Sequence, residues 1–233
     1  MYLRHTVSSS HIQKELIMLS LSAIEEIFKK LSDINPAPTT ELEYTNFYTL
    51  LVAVVLSAQS TDKGVNKATR SLFEKVSTPQ QMVELGEENL KQAIKTIGFY
   101  NTKAKNIIGL SEILIQEHGG QVPQNREALE RLPGVGRKTV NVILNTAFGE
   151  PVMAVDTHVL RVANRLGICA AKTPLEVEKA LMEKIPHAYL QHAHHWLILH
   201  GRYICQARKP KCYLCPVVDL CEYKEKNFVK SKG

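Results

Sequence analysis

The segment at residues 47–58, FYTLLVAVVLSA, constrains the fold most because it is apolar around its whole circumference. A helix at a protein surface keeps one polar face, whereas a helix without one must be surrounded by other elements. Its longest apolar stretch, residues 50–56, is far shorter than the ~20 residues that a membrane-spanning helix needs. The segment therefore predicts a central helix that is buried on every side.

The rest of the chain carries helical signals and lacks the sustained two-residue alternation that is typical of strands. Residues 24–31 place apolar side chains at helical spacing and stop before the NPAP sequence at residues 35–38. Capping hydroxyls mark the start of further helices at Thr61, Thr78 and Thr173, and proline follows the last two. The predicted fold class is all-α.

Composition narrows the class of protein further. The chain has 233 residues, of which 44% are hydrophobic and 22% charged, which suits a soluble protein of one large or two modest domains. The N-terminus has no secretory signal, so we expect an intracellular, cytoplasmic protein, associated with the nucleoid in a prokaryote. Residues 1–17 lack a clear apolar face, and we expect a disordered extension there.

The net charge of +6 is concentrated near the C-terminus, where residues 201–233 hold eight Lys or Arg and three Asp or Glu. A basic surplus favours a polyanionic partner only modestly. For residues 224–232 alone, a solvated tail is the simpler interpretation.

Four of the five cysteines fall within seventeen residues, as Cys205-x6-Cys212-x2-Cys215-x5-Cys221. A reducing compartment disfavours disulfides, so the cluster of thiols indicates a metal site. Such a loop suits a tetranuclear iron–sulfur cluster or a structural zinc ion, although the unequal spacing is less typical of zinc. Its longest interval carries three cations: Arg208, Lys209 and Lys211.

A second motif is LPGVGRK at residues 132–138, which lies between two helical patterns. Gly134 and Gly136 permit left-handed backbone angles and bring bare N–H groups close to a phosphate. The following helix directs its positive end to the same place. The motif predicts a helix–hairpin–helix that holds the DNA backbone through Gly134, Gly136 and Arg137. A plain turn between helices is the alternative, and two glycines alone would favour it.

Lys138 and Asp156 are the candidate catalytic pair. Lys138 falls in the first turn of a helix, where the helix dipole and Arg137 both disfavour the charged amine. The neutral amine that they favour is the form a nucleophile requires. Phosphate binding is the commoner role for a lysine in such a turn. Asp156, eighteen residues later, opens the sequence VDTH as an N-cap. One intervening helix would bring amine and carboxylate to one cleft, and such a pair suits cleavage of a glycosidic bond.

The histidines on the last long helical pattern have no carboxylate at ligand spacing, so a place in the core or at an interface is favoured over metal binding. They are His187, His192, His194, His195 and His200.

Together these motifs resemble the endonuclease III family. The resemblance also includes LSAQ at residues 56–59, TIGFYN at residues 96–101 and HWLILHGR at residues 195–202. It runs in order from about residue 35 to about residue 226. The combination is highly specific.

The resemblance implies two helical domains with a DNA-binding cleft between them. Residues 40–149 would form a helical barrel with the helix–hairpin–helix. Residues 18–39 and 150–233 would form a discontinuous domain in which the four cysteines hold a 4Fe-4S cluster. The protein is expected to be a monomer, with no membrane partner.

The implied activity is that of a DNA glycosylase and AP lyase that acts on double-stranded DNA with damaged bases or abasic sites. An oxidised pyrimidine would be flipped out of the duplex. Lys138 would attack the sugar C1′, expel the base, form a Schiff base and cleave the strand by β-elimination. Gln59 resembles the residue that fills the gap left by the flipped base. Phe99 stands where the family usually has a leucine wedge. Arg208, Lys209 and Lys211 are expected to contact the DNA backbone.

Three alternatives stay open. Adenine-mismatch glycosylases share the fold and cluster, but usually have a small hydroxyl residue in place of the lysine and a further C-terminal domain. Lys138 and the end of the sequence at Gly233 argue against that class. A non-catalytic iron–sulfur DNA-binding module and a zinc-binding structural protein are the others.

Overall fold

The computed structural model describes residues 18–229, and every regular element in that part of the chain is helical. The all-α prediction is confirmed. The expected extension at residues 1–17 lies outside the described residues. None of the described helices is long and apolar enough to cross a membrane. The α-helices, in chain order, are α1 (Leu21–Ile34), α2 (Phe47–Ser57), α3 (Asp62–Phe73), α4 (Pro79–Leu85), α5 (Glu87–Ile94), α6 (Tyr100–His118), α7 (Arg126–Glu130), α8 (Arg137–Phe148), α9 (Thr157–Leu166), α10 (Pro174–Lys184) and α11 (His187–Tyr203).

Helix α2 is the central helix that the sequence predicts. Its residues 48–56 are all buried. Asn46 and Thr49 close its start with a reciprocal capping box, which satisfies two backbone donors that a helix end leaves free. The prediction of complete burial is wrong for Phe47 and Ala58, which are exposed because they lie where the chain turns to the surface.

The buried apolar side chains form two clusters. The first core draws on α2 to α8 and contains residues between 42 and 144 together with Ala154. The second core combines α1 with residues 153–217, so the chain leaves it after α1 and returns to it after α8. This arrangement matches a barrel and a discontinuous second domain. The predicted boundaries near residues 39 and 150 stay predictions.

The side chain of Arg202, at the end of α11, joins the second core to the first. It donates a hydrogen bond to Asp62 Oδ2 at 2.6 Å, at the start of α3, and another to Glu41. Tyr203 also donates to Glu41. These contacts fix the end of α11, and therefore the cysteine segment that follows it, relative to α3.

Helices α9 and α11 approach each other closely at Gly201. A Cβ atom there would lie 2.8 Å from the Cβ of His158 and 3.1 Å from a methyl group of Val162, so only glycine fits. Arg161 of α9 donates to the Gly201 carbonyl oxygen at 2.8 Å. This close contact holds the beginning of α9, which Asp156 caps, against the helix that leads to the cysteines.

Candidate active site and DNA-binding surface

The hairpin between α7 and α8 depends on Gly134, whose φ of 77° lies in the left-handed region. A Cβ atom at this position would also lie 2.9 Å from the side-chain nitrogen of Asn106. Gly136 has an extended backbone (φ −100°), so the prediction of left-handed angles at both glycines is wrong for Gly136. The reason is its place as the N-cap of α8, since N-cap residues take extended angles.

The start of α8 has no side-chain cap, in contrast to the start of α9. Its first N–H groups therefore have no side-chain partner, and Gly136 and Arg137 beside them are exposed. Lys138 is the second residue of α8 and is also exposed. This end of the helix is open to an anion from outside.

Asp156 caps α9. Its Oδ1 accepts hydrogen bonds from the backbone N–H groups of His158 and Val159, both at 2.8 Å. The carboxylate is half-buried, and Met153, Ala154 and Val155 before it are buried. Both bonds go to one oxygen, so the cap fixes the orientation of the carboxylate.

His194 of α11 is the buried neighbour that Lys138 and Asp156 share. Its Nδ1 donates to the Ala154 carbonyl oxygen at 2.7 Å. The pKa of His194 is lowered to about 3, mainly by burial and to a smaller extent by the neighbouring His195. The Asp156 carboxylate and the Ala154 hydrogen bond oppose this shift, whereas the Lys138 charge contributes to it. The imidazole is therefore neutral, and the charges of Lys138 and Asp156 both act on it. Lys138 and Asp156 therefore both lie near enough to His194 for their charges to act on it.

Arg137 does not lie free on the hairpin surface. Its Nε and Nη2 donate to the two carboxylate oxygens of Glu178 on α10, at 2.9 and 2.7 Å. No local pattern in the sequence indicates this partner, because Glu178 lies forty-one residues from Arg137.

Three non-glycine residues within residues 18–229 have a positive φ: Gln59 (55°), Phe99 (58°) and Lys209 (50°). Each of them is a predicted DNA contact. Left-handed angles are uncommon for such residues and tend to occur where function requires them. Gln59 lies in the turn between α2 and α3, and Phe99 precedes α6 with 68% of its surface exposed.

All four clustered cysteines line one cavity behind the end of α11, together with His200 and Tyr223. Two single-turn 3₁₀ helices, Cys212–Leu214 and Val218–Leu220, separate Cys212 from Cys215 and Cys215 from Cys221. Within the described residues, no three His, Cys, Asp or Glu side chains converge on a point where one metal ion would be held. The four thiols therefore line one shared space.

Two arginines of α9 hold this segment, and sequence reasoning missed both. Arg161 donates to the Cys205 carbonyl oxygen at 3.0 Å. Arg165 donates to the Gln206 carbonyl oxygen at 2.7 Å, lies 3.6 Å from Cys205 Sγ and stacks over the Tyr223 ring at 4.4 Å. Their spacing of four residues on an amphipathic helix was the available signal.

The three cations between the first two cysteines stay at the surface. Arg208 and Lys209 are exposed and Lys211 is partly exposed, while Pro210 between them is buried. The Lys211 backbone N–H donates to the Ile204 carbonyl oxygen at 2.9 Å, which closes the loop. The loop thus holds its three positive charges close together at the protein surface.

His194, His195 and His200 are buried, as a place in the core predicts, whereas His192 is only partly buried and His187 is exposed at the start of α11. Cys169 is buried as well, and burial raises the pKa of its thiol.

Comparison with known proteins gives consistent matches. Residues 52–187 match the HhH-GPD superfamily of base excision DNA repair proteins. The endonuclease III of Haemophilus influenzae is 58% identical over 201 residues, which cover 86% of this chain and 95% of the relative. The endonuclease III of Escherichia coli K12 is 56% identical with the same coverage.

Among solved structures, a trapped covalent intermediate of endonuclease III with DNA superposes with a TM-score of 0.82 at 47% identity, covering 88% of this chain and 97% of that one. A thermostable thymine-DNA glycosylase superposes with a TM-score of 0.72 at 26% identity, covering 87% of this chain and 94% of that one.

Proposed function

Because the chain belongs to the endonuclease III family of helix–hairpin–helix base excision repair proteins, we propose that Lys138 and Asp156 carry out its chemistry. The protein is a DNA glycosylase and AP lyase. We further propose that its substrates are oxidised pyrimidines and abasic sites in duplex DNA.

The observation that carries this proposal is the shared environment of Lys138 and Asp156. They stand at the beginnings of two consecutive helices, and both charges act on the buried imidazole of His194. A nucleophilic amine needs an open approach, and Lys138 is exposed. A carboxylate that stabilises a developing cation needs a fixed orientation, which two backbone hydrogen bonds provide for Asp156.

In the proposed reaction, the Lys138 amine attacks the sugar C1′ and the bond from C1′ to the base breaks with its electron pair going to the base, which then takes up a proton. The Lys138 nitrogen then loses one of its two protons and the bond from C1′ to the ring oxygen breaks. The ring oxygen takes up a proton and becomes a hydroxyl group, which leaves a protonated Schiff base on Lys138. Removal of a proton from C2′ then expels the 3′-phosphate, which is β-elimination. The Asp156 carboxylate stabilises the positive charge that develops on the sugar.

The proposed DNA surface combines backbone clamps with residues that enter the duplex. Gly134, Gly136 and the open start of α8 would bind one phosphate group, with Arg137 beside them. The loop at residues 208–211 would bind phosphates through its three cations. Gln59 would fill the gap that the flipped nucleotide leaves, and Phe99 would wedge beside the orphaned base.

We propose that Cys205, Cys212, Cys215 and Cys221 hold a 4Fe-4S cluster, which supplies a rigid anchor for the basic loop. The donor set fits such a group, because four thiols line one cavity and four Cys thiolates are the ligands that such clusters use. Burial, with smaller contributions from the other three cysteines, raises the pKa of Cys215 to about 11. The site therefore requires a positively charged group to hold four thiolates together.

Action as a monomer, inside the cell, completes the proposal.

Borohydride trapping on duplexes with one oxidised pyrimidine or one abasic site tests the mechanism. The wild-type protein should be trapped covalently on both. Lys138→Gln should bind but neither trap nor cut. Arg131→Gln is the matched control, since it removes a cation from the same hairpin without touching the amine, and it should still trap. A Lys138→Gln protein that traps at the wild-type rate would refute the mechanism.

A further inference from the structure

Lys103 of α6 is the one lysine within residues 18–229 that is buried, with 7% of its surface exposed. Its Nζ donates to the carbonyl oxygens of Leu56 and Ala58, at 2.9 and 2.6 Å, and to Ser60 Oγ at 3.2 Å. An ammonium group has three N–H donors, so all of them are used. Burial lowers the pKa of this amine because the charged form loses its hydration. Among the described contacts, only the three hydrogen bonds offset that loss.

The three acceptors lie at the end of α2 and in the turn that follows. Carbonyl oxygens at a helix C-terminus lack partners within the helix and form its negative end, so a cation from another helix is well placed there. Ala58 and Ser60 are the two neighbours of Gln59 in the chain. Lys103 therefore fixes the turn on both sides of a residue with a left-handed backbone, a conformation that is uncommon for residues other than glycine.

The same residue also closes the turn that carries Phe99. The backbone N–H of Lys103 donates to the Phe99 carbonyl oxygen at 3.0 Å, as the first hydrogen bond of α6. Phe99 is the second residue with a left-handed backbone in this region. Lys103 thus fixes the turn at Phe99 through its backbone N–H and the turn at Gln59 through its side chain.

We propose that Lys103 is a positioning residue that locks the Gln59 turn to the Phe99 turn, so that both side chains enter the duplex in one fixed geometry. This inference rests on the proposed function, in which Gln59 and Phe99 occupy the space beside the flipped nucleotide. Lys103 is buried and so does not reach the reacting atoms. Without its amine, the turn has to be ordered during DNA binding, and that cost falls on base flipping.

Activity on duplex and on single-stranded DNA separates positioning from a general loss of structure. An abasic site in a single strand has no opposite base and no stack to enter, so its cleavage needs the Lys138 amine but not the locked turns. Lys103→Met keeps the length of the side chain and removes the amine. We expect the incision rate on a duplex abasic site to fall about 10- to 100-fold, and the single-strand rate to change less than about twofold.

Lys105→Met is the matched control, because Lys105 is exposed on the same helix, and it should leave both rates unchanged. Thermal melting of each variant checks the fold. Equal losses on duplex and single strand would overturn the inference, as would an unchanged duplex rate in Lys103→Met. A wild-type protein that neither cuts nor traps would instead defeat the proposed function itself.

A double-mutant cycle with Gln59→Ala adds a readout that a merely structural role would not produce. If Lys103 acts through the Gln59 turn, the double variant should be little less active on the duplex than the less active of the two single variants. Both substitutions would then act on one and the same contact, that of the Gln59 side chain with the duplex. Fully additive losses would contradict the inference. Should Lys103→Met fail to fold, Ser60→Ala removes one of the three hydrogen bonds to the Lys103 amine. This variant should show a smaller loss that is again confined to the duplex. An equal loss on both substrates would refute the inference.

Discussion

Arg137 and Glu178 form a two-bond ion pair between the hairpin and α10, with donor–acceptor distances of 2.9 and 2.7 Å. Half of the Arg137 side chain is exposed, whereas Glu178 is 13% exposed. A carboxylate offers a guanidinium the same paired oxygens that a phosphate offers. The group that we expect to bind DNA therefore already holds an anion from its own protein, and DNA must compete with it.

Glu178→Gln should consequently strengthen binding to undamaged duplexes. Loss of the carboxylate frees Arg137 for a phosphate and removes a negative charge beside the hairpin. One added phosphate contact should steepen the dependence of log K on log salt concentration by about 0.9. Fluorescence anisotropy over a salt series measures both effects.

Glu183→Gln is the matched control, because Glu183 is exposed on the same helix and the change in net charge is identical. It should leave the slope unchanged. Equal effects of the two substitutions would show that net charge matters and that the pair with Arg137 does not.

Asp156→Asn should separate the structural role of Asp156 from its proposed chemical role. Asparagine is as good an N-cap as aspartate, so α9 should keep its start and the free energy of unfolding should fall by less than about 1 kcal/mol. Loss of the charge should slow base release by roughly two to four orders of magnitude. Single-turnover kinetics on an oxidised pyrimidine, together with thermal melting, test this. A variant that melts far earlier, or that releases the base at the wild-type rate, would contradict the assignment.

Local patterns in the sequence were enough to predict much of this architecture. An apolar run without a polar face specified a buried α2, and hydroxyl caps marked the starts of α3, α4 and α10. Such features act over a few residues, so they can be recognised without knowing the fold. The exposed position of Phe47 was missed because the end of a buried helix depends on where the chain turns.

The contacts that depend on tertiary structure could not be predicted in this way. Lys103 looks like an ordinary helix-surface lysine in sequence, and its acceptors lie more than forty residues away. The same holds for Glu178, which pairs with Arg137, and for the cysteine segment that Arg165 supports. Each of these depends on which helices the fold places side by side.

Substitutions in the basic loop should weaken binding to every duplex alike. Arg208→Ala or Lys211→Ala removes a phosphate contact, so affinity should fall without regard to the lesion and the salt slope should become shallower by about 0.9. Lys224→Ala, in the exposed segment beyond the cysteines, is the control and should change the slope less. A loss confined to one base context would show that the loop reads bases.

The four cysteines should bind iron and sulfide together. Purified protein is expected to be yellow-brown, with iron and acid-labile sulfide in near-equal amounts. Cys212→Ser should lower iron content, solubility and DNA affinity together, because the basic loop loses its anchor. Cys169→Ser is the control, since Cys169 is buried in the second core away from the cavity, and iron content should be unchanged. Colourless protein with stoichiometric zinc, prepared without oxygen, would disprove the assignment.

The buried His194 predicts how stability depends on pH. Burial lowers its pKa from 6.5 to about 3. Above pH 6.5 the imidazole is neutral in both the folded and the unfolded protein, so its contribution to stability is complete. As the pH falls towards 3, the unfolded chain takes up a proton that the folded protein does not, and the free energy of unfolding decreases by up to about 1.4 kcal/mol per pH unit.

His194→Asn should make stability less sensitive to acid. The asparagine amide can still donate to the Ala154 carbonyl oxygen but has no proton to gain, so the drop in melting temperature between about pH 7 and about pH 5 should shrink. His187→Asn, at the exposed start of α11, is the matched control and should leave the drop as it is in the wild type. An identical drop in all three proteins would mean that His194 does not stay neutral in the folded state. The inference that Lys138 and Asp156 act on a neutral imidazole would then be wrong.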